Sequence, residues 1–151
     1  MTHQEAYRRF DEVRDEYHAA RFALRRGLQV FQNDPAVFEV GSRDQVTLHH
    51  LESCIGNLQI TYLVRLFAEF EAILRDYWLN GRNRASTPRM VDLMNSVAAY
   101  CFMSNDDVQN AHEVRDYRND VIHEHLQDPR FDFQTCRSRL ACFIRWLPQR
   151  W

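Results

Sequence analysis

The segment Arg115-Asp116-Tyr117-Arg118-Asn119-Asp120-Val121-Ile122-His123 holds the residues best suited to chemistry. Laid out at about 100° per residue, the surrounding helix groups Ala111, Val114, Tyr117, Val121 and Ile122 on one apolar arc. Arg118 and His125 fall inside that arc, where neither belongs. His112, Asp116, Asn119 and His123 gather on the opposite edge, at spacings of four, three and four. A guanidinium buried without a partner is costly, so Arg118 must face a carboxylate, a phosphate or a water-filled cleft. Its planar fork suits two phosphate oxygens at once. The competing reading is an ion pair to a neighbouring helix, with Glu71 as the carboxylate, because structural ion pairs mimic active sites. For His123 alone, a histidine capping or exposed near a helix C-terminus is the simpler account.

Other chemistries find no support. His112-Glu113 and His123-Glu124-His125 lack the His-Glu-x-x-His spacing that sets two imidazoles on one helical face. His49 and His50 are adjacent and diverge. Cys54, Cys101, Cys136 and Cys142 contain no Cys-x-x-Cys pair, so no zinc pattern arises. There is no glycine loop to cradle phosphates and no Gly-x-Ser-x-Gly elbow. Neither a metal nor a cofactor is expected.

Five helices must position these residues. Ala6, Phe10, Val13, Tyr17, Ala20, Leu24 and Leu28 form one stripe on a first helix, about residues 4–31. Asn33-Asp34-Pro35 stops it, and a loop follows through Gly41 to Asp44. A second helix begins near Thr47 and ends near Leu79, closed by Asn80-Gly81. Its stripe is Leu48, Leu51, Ile55, Ile60, Leu63, Phe67, Phe70, Leu74 and Tyr77, with Trp78 beside it and Gly56 marking a bend or close crossing. Thr87-Pro88 reads as N-cap and first turn of a short third helix. Ser104 and Asp107 have capping-box spacing and open a fourth, carried to about Leu126 and broken at Pro129. Asp132 caps a fifth, with Phe133, Cys136, Leu140, Phe143, Ile144 and Leu147 on one face. No segment alternates long enough to be a strand. The expected fold is all-α, a single-domain antiparallel bundle of about five helices spanning residues 1–151.

Composition sets the frame. The chain has 151 residues, 45% of them hydrophobic and 26% charged, as in a globular domain. No apolar stretch approaches the roughly 18 residues needed to cross a bilayer. The polar start from Met1 to Phe10 does not read as a signal peptide. With the cysteines read as reduced, buried thiols, a cytoplasmic protein is expected. A net charge of −2 disfavours bulk electrostatic attraction to nucleic acid. All nineteen basic residues are arginine. A GC-rich coding genome explains that more simply than selection does.

The segment Arg118-Asn119-Asp120-Val121-Ile122-His123 resembles the Arg-x4-His signature of HEPN domains, in which a polar residue follows the arginine, as Asn119 does. The signature lies late on a helix of a small α-bundle. The aromatic-rich stretch from Tyr62 to Trp78 around Glu71 is similar to the long preceding helix of many HEPN proteins. The motif covers about fifteen residues, the helix layout most of the chain. The resemblance implies metal-independent RNA cleavage, with the ribose 2′-OH attacking the adjacent phosphodiester to leave a 2′,3′-cyclic phosphate. In that scheme His123 does the acid–base work, since an imidazole titrates near neutrality. Arg118 binds phosphate and offsets transition-state charge. Asn119 orients the imidazole or contacts the backbone, and Glu71, Asp116 and Arg115 line the substrate site. A toxin or phage-defence effector acting on RNA is the biological setting implied, with an antitoxin or other inhibitor protein as a further partner.

Five residues are about 500° of helix, so Arg118 and His123 point roughly 140° apart. Convergence needs a distorted helix end, a wrapped arginine, or two chains sharing one site. The HEPN resemblance implies the last, a homodimer with Tyr117, Val121 and Ile122 near the contact. Two alternatives stay open: a non-catalytic HEPN-like module that binds RNA, a nucleotide or a protein, and a purely structural dimerisation bundle. Of the remaining basic residues, Arg82, Arg84 and Arg89 flank the N-terminus of the third helix, where backbone N–H groups suit an RNA phosphate. Arg137, Arg139 and Arg145 lie away from the apolar face of the fifth, where an RNA groove is the functional alternative. Solvated surface is the simpler reading for both groups. Trp146 and Trp151 are expected to pack in the core or an interface.

Overall fold

The computed structural model describes residues 1–38, 46–123 and 130–151, and among these it is all-helical. The elements are α1 (His3–Asn33), a 3₁₀ turn (Pro35–Phe38), α2 (Leu48–Asp76), one π-helical turn (Tyr77–Gly81), α3 (Met90–Tyr100), α4 (Asn105–Ile122) and α5 (Phe133–Ile144). Expectations for Gly41–Asp44, His125, Leu126 and Pro129 lie outside the described residues. No described helix is long and apolar enough to cross a membrane.

The helix starts follow local side-chain chemistry. Thr2 and Glu5 form a capping box that opens α1, and Thr47 exchanges bonds with His50 at the start of α2. Ser104 accepts from the Asp107 amide at 3.2 Å, and Asp132 accepts from Thr135 at 2.6 Å. Each satisfies an amide that the helix itself leaves without a partner. The third helix departs from expectation. It starts at Met90 behind Arg89, which supplies no side-chain cap. Trp78 Nε1 donates to the Ser86 carbonyl at 3.0 Å and holds the chain ahead of Pro88 against the end of α2. Helical winding at Thr87 is thereby displaced.

One apolar cluster unites all five helices. Phe10, Phe70, Leu74, Leu93, Val97, Val114, Leu140 and Phe143 are fully buried within it. Truncating any of the phenylalanines to alanine removes about 3–5 kcal/mol. At about 1.5 Å per residue, α1 and α2 exceed 40 Å and outrun the three shorter helices. Their far halves therefore pack mainly on each other. Ala20, Leu24 and Leu28 are half-buried, and Leu48 and Ile60 are exposed, which corrects a stripe read as continuous core. Gly56 is exposed and meets nothing within 4 Å, so it marks no crossing. The close approach is at Gly81, where an added Cβ would lie 2.6 Å from Trp151 Cβ and 2.9 Å from Tyr77 Cδ2.

The cysteine expectation also changes. All four thiols are free, but Cys136 alone is buried, with Cys101 and Cys142 half-buried and Cys54 exposed. Burial pushes the Cys136 thiol up to about 12. Arg137 and Arg139 are not a solvated face. They clasp α5 to α1 and α4 through Asp11 and Glu113, and their side chains keep only 16% and 24% exposure. Arg145 reaches Asp107 at 3.7 Å and is the exposed member of the group. Trp146 sits at the surface, its Nε1 donating to Asp107 at 2.8 Å, whereas Trp151 packs edge-on against Tyr77.

Candidate functional site

The α4 helix sets the geometry of the Arg118–His123 segment. Ala111, Val114 and Tyr117 are buried on the face read from the sequence, and Val121 is half-buried. Ile122 departs from it. It is 43% exposed in the last turn of α4, so it is surface rather than core.

Arg118 is half-buried and has no carboxylate within 4 Å among the described residues. Its guanidinium carbon lies 5.6 Å from the centre of the Phe67 ring, and Nη1 donates to Asn119 Oδ1 at 2.9 Å. Its Nε is buried with no acceptor. The Glu71 alternative fails because Glu71 accepts two bonds from Arg75, one turn along the same helix, at 2.6 and 2.8 Å. Glu71 is therefore not the ion-pair partner of Arg118.

His123 is exposed and caps α4, its backbone N–H donating to the Asn119 carbonyl at 3.1 Å. The helix stays α-helical through Ile122, so no distortion turns His123 towards Arg118. Within one chain the two residues keep the divergence of a regular helix. Asn119 serves both by different atoms: its amide oxygen accepts from Arg118 and its carbonyl accepts from His123.

Arg115 and Asp116 pair with each other rather than facing an open site. Arg115 Nη1 also reaches His112 Nδ1 at 3.1 Å, and His112 Nε2 lies 2.8 Å from Asn95 Oδ1 on α3. Arginine can only donate, so Nδ1 accepts and the His112 proton sits on Nε2. Burial holds the His112 pKa below 6.5, the Arg115 charge lowers it further, and Asp116 partly offsets both. The string Asn95–His112–Arg115–Asp116 thus fixes the orientation and tautomer of His112 on α4. The spacing of His112, Arg115 and Asp116 was visible in the sequence, but the contribution of Asn95, seventeen residues before His112, was not.

No group of three or more potential ligands capable of holding a metal occurs among the described residues. The chain matches no family model, no curated protein and no solved structure.

Proposed function

We propose that the protein is a metal-independent endoribonuclease of the HEPN type, with Arg118 on the phosphate and His123 in proton transfer. One observation carries the reading: Arg118 keeps a half-buried guanidinium, with a buried and unsatisfied Nε, on a helix where the neighbouring Arg115 is neutralised by an acid. A phosphate supplies the counter-charge that this cation lacks. The half-buried position beside Phe67 strengthens that attraction relative to open water.

Cleavage forms a bond between the ribose 2′-oxygen and phosphorus and breaks the bond from phosphorus to the 5′-oxygen. The products are a 2′,3′-cyclic phosphate and a free 5′-hydroxyl. One imidazole takes the 2′-OH proton and another returns a proton to the leaving oxygen. The regular helix separates Arg118 from His123 within a chain, so two chains facing each other at this end of α4 supply the paired groups. Exposed Ile122 suits that contact. A toxin or defence role, held in check by an inhibitor protein, is the setting this activity fits. The same divergence favours a second reading, in which Arg118 binds a phosphate without cleavage.

The test compares native protein and His123→Ala on RNA, analysed for cyclic phosphate ends. Loss of a general acid–base residue lowers the rate by about 10²–10⁴-fold. Intact RNA after incubation with folded, dimeric native protein overturns the catalytic reading.

A further inference from the structure

A second site lies on a different face, where α3 meets the loop that precedes it. From Tyr77 to Val91 the chain has three arginines, Arg82, Arg84 and Arg89, and no acidic residue, within a protein of net charge −2. None of the three has a carboxylate partner among the described residues. Asp76, just before the segment, is occupied by the Met1 ammonium at 3.4 Å and by Trp151 Nε1 at 2.8 Å. Asp92 is the one acid between Arg89 and Ser104.

These cations are interleaved with aromatic rings. The Arg82 guanidinium carbon sits 3.2 Å above the centre of the Tyr100 ring, and its Nε is buried without an acceptor. Arg84 lies 5.5 Å from the Trp78 ring, beside an open cleft of about 420 Å³ lined by Trp78, Arg84, Thr87, Pro88 and Ser96. Ser96, Ala99 and Tyr100 are three and four residues apart, so cleft and stack share one face of α3.

Phe102 completes the surface and is the least expected residue in it. The end of α3 is a Schellman turn: Met103 N–H reaches the Ala98 carbonyl at 3.0 Å and Phe102 N–H the Ala99 carbonyl at 3.5 Å. The position after the C-cap adopts the left-handed conformation, with φ 53° at Phe102. Glycine is the usual residue there, because a Cβ is strained. The chain instead has a phenylalanine that is 88% exposed and buries almost nothing. A strained backbone that displays a large apolar ring has no folding rationale, and such strain concentrates at functional sites.

We infer that Arg82, Arg84, Trp78, Tyr100 and Phe102 form a platform for single-stranded nucleic acid. Unpaired guanidinium groups meet the phosphates, and exposed ring faces stack on bases that a duplex would hide. In a two-fold contact these arginines would face their own copies and repel, so positive charge without neighbouring acids favours a polyanion over a second copy of this chain. The platform does not require catalysis at His123, and binding is measured apart from cleavage.

The experiment measures fluorescence anisotropy of a short labelled oligouridine with protein carrying His123→Ala, which leaves the RNA whole. Duplex RNA and single-stranded DNA of equal length are the comparison arms. The single strand binds more tightly than the duplex. Equal binding of DNA assigns recognition to phosphates and base faces, and an RNA preference adds contact with the 2′-hydroxyl. The platform's two guanidinium groups, each meeting one phosphate, predict an affinity loss of about sevenfold between 50 and 200 mM salt. Phe102→Gly weakens binding by about tenfold or more while raising the melting temperature, a combination that a purely structural residue does not give. Arg84→Gln lowers the salt slope. Equal affinity for duplex and single strand, or binding indifferent to Phe102→Gly and Tyr100→Ala, overturns the proposal. Self-association abolished by Phe102→Gly, with no oligonucleotide bound, assigns the face to a protein contact instead.

Discussion

Replacing Arg118 by methionine separates a functional arginine from a structural one. Removing the guanidinium ends the burden of a buried Nε without an acceptor, worth about 1–3 kcal/mol. It also forfeits the attraction of Phe67, about 0.5–1 kcal/mol at a half-exposed site, and the bond to Asn119, about 1 kcal/mol. Methionine retains most of the stem's packing. These contributions nearly cancel and leave the variant within about 1 kcal/mol of the native stability, which in a domain of this size is a change of about 2–4 °C at most in melting temperature. Arg137→Met is the control. Its Nε is likewise buried without an acceptor, but its Nη2 reaches Asp11 and ties α5 to α1, so its loss destabilises by removing an interhelical ion pair, although Asp11 keeps Arg14. Thermal unfolding of the two variants beside the native protein, together with RNA cleavage, gives the readout. Arg118→Met melts within about 4 °C of the native protein and cleaves RNA at least about a hundredfold more slowly. A loss of 2 kcal/mol or more (roughly the value of a structural ion pair) would show that Arg118 holds the fold together, and the functional reading would fall.

Two further outcomes follow from particular contacts. Gly81→Ala forces a Cβ against Trp151 and Tyr77, and destabilises by about 1–3 kcal/mol in a thermal melt, whereas Gly56→Ala, with open space around it, does not. His112 has a folded pKa below its ordinary 6.5, so its contribution to stability is complete above that value and is lost as pH falls through the folded pKa. Denaturant titrations of native protein and His112→Gln from pH 8 to 5 show a shallower decline in the variant, and equal slopes refute the burial argument.

Much of the bundle is legible from spacing, because burial on a helix repeats every three to four residues and the caps use a small set of side chains. Thr47, Ser104 and Asp132 open helices as their types require. What the stripe does not encode is which of its turns a third helix covers. Leu24 and Leu63 read alike in sequence, yet Leu63 is buried and Leu24 is not, because α1 and α2 outrun their neighbours. The Arg137–Asp11 pair joins residues 126 apart and is a product of packing alone. In contrast, Glu71 and Arg75 stand at the spacing of a helical ion pair, a local signal that points away from Glu71 as the ion-pair partner of Arg118. Phe102 carried no signal at all, since a left-handed turn is read from glycine or asparagine and the chain has neither there.

Arg118 and Phe102 are two of the places, among the described residues, where this chain breaks a local rule without a visible structural return. One keeps a cation among apolar neighbours with no acid to meet it. The other sets a bulky ring on a backbone that suits glycine and leaves it in solvent. Elsewhere the same rules hold closely: most interhelical arginines meet an acid, and α4 buries Ala111, Val114 and Tyr117 where its periodicity requires. A sequence that satisfies local preferences nearly everywhere has no reason to tolerate two exceptions unless each does something the fold does not need. The exceptions also share a chemistry, since unpaired guanidinium groups and an exposed ring are complementary to phosphates and unstacked bases. If Arg118→Met and Phe102→Gly both raise the melting temperature, and their gains add in the double variant, the two sites are strained independently. Gains that fail to add would place both residues in one coupled arrangement, and the two sites would then have to be treated as one.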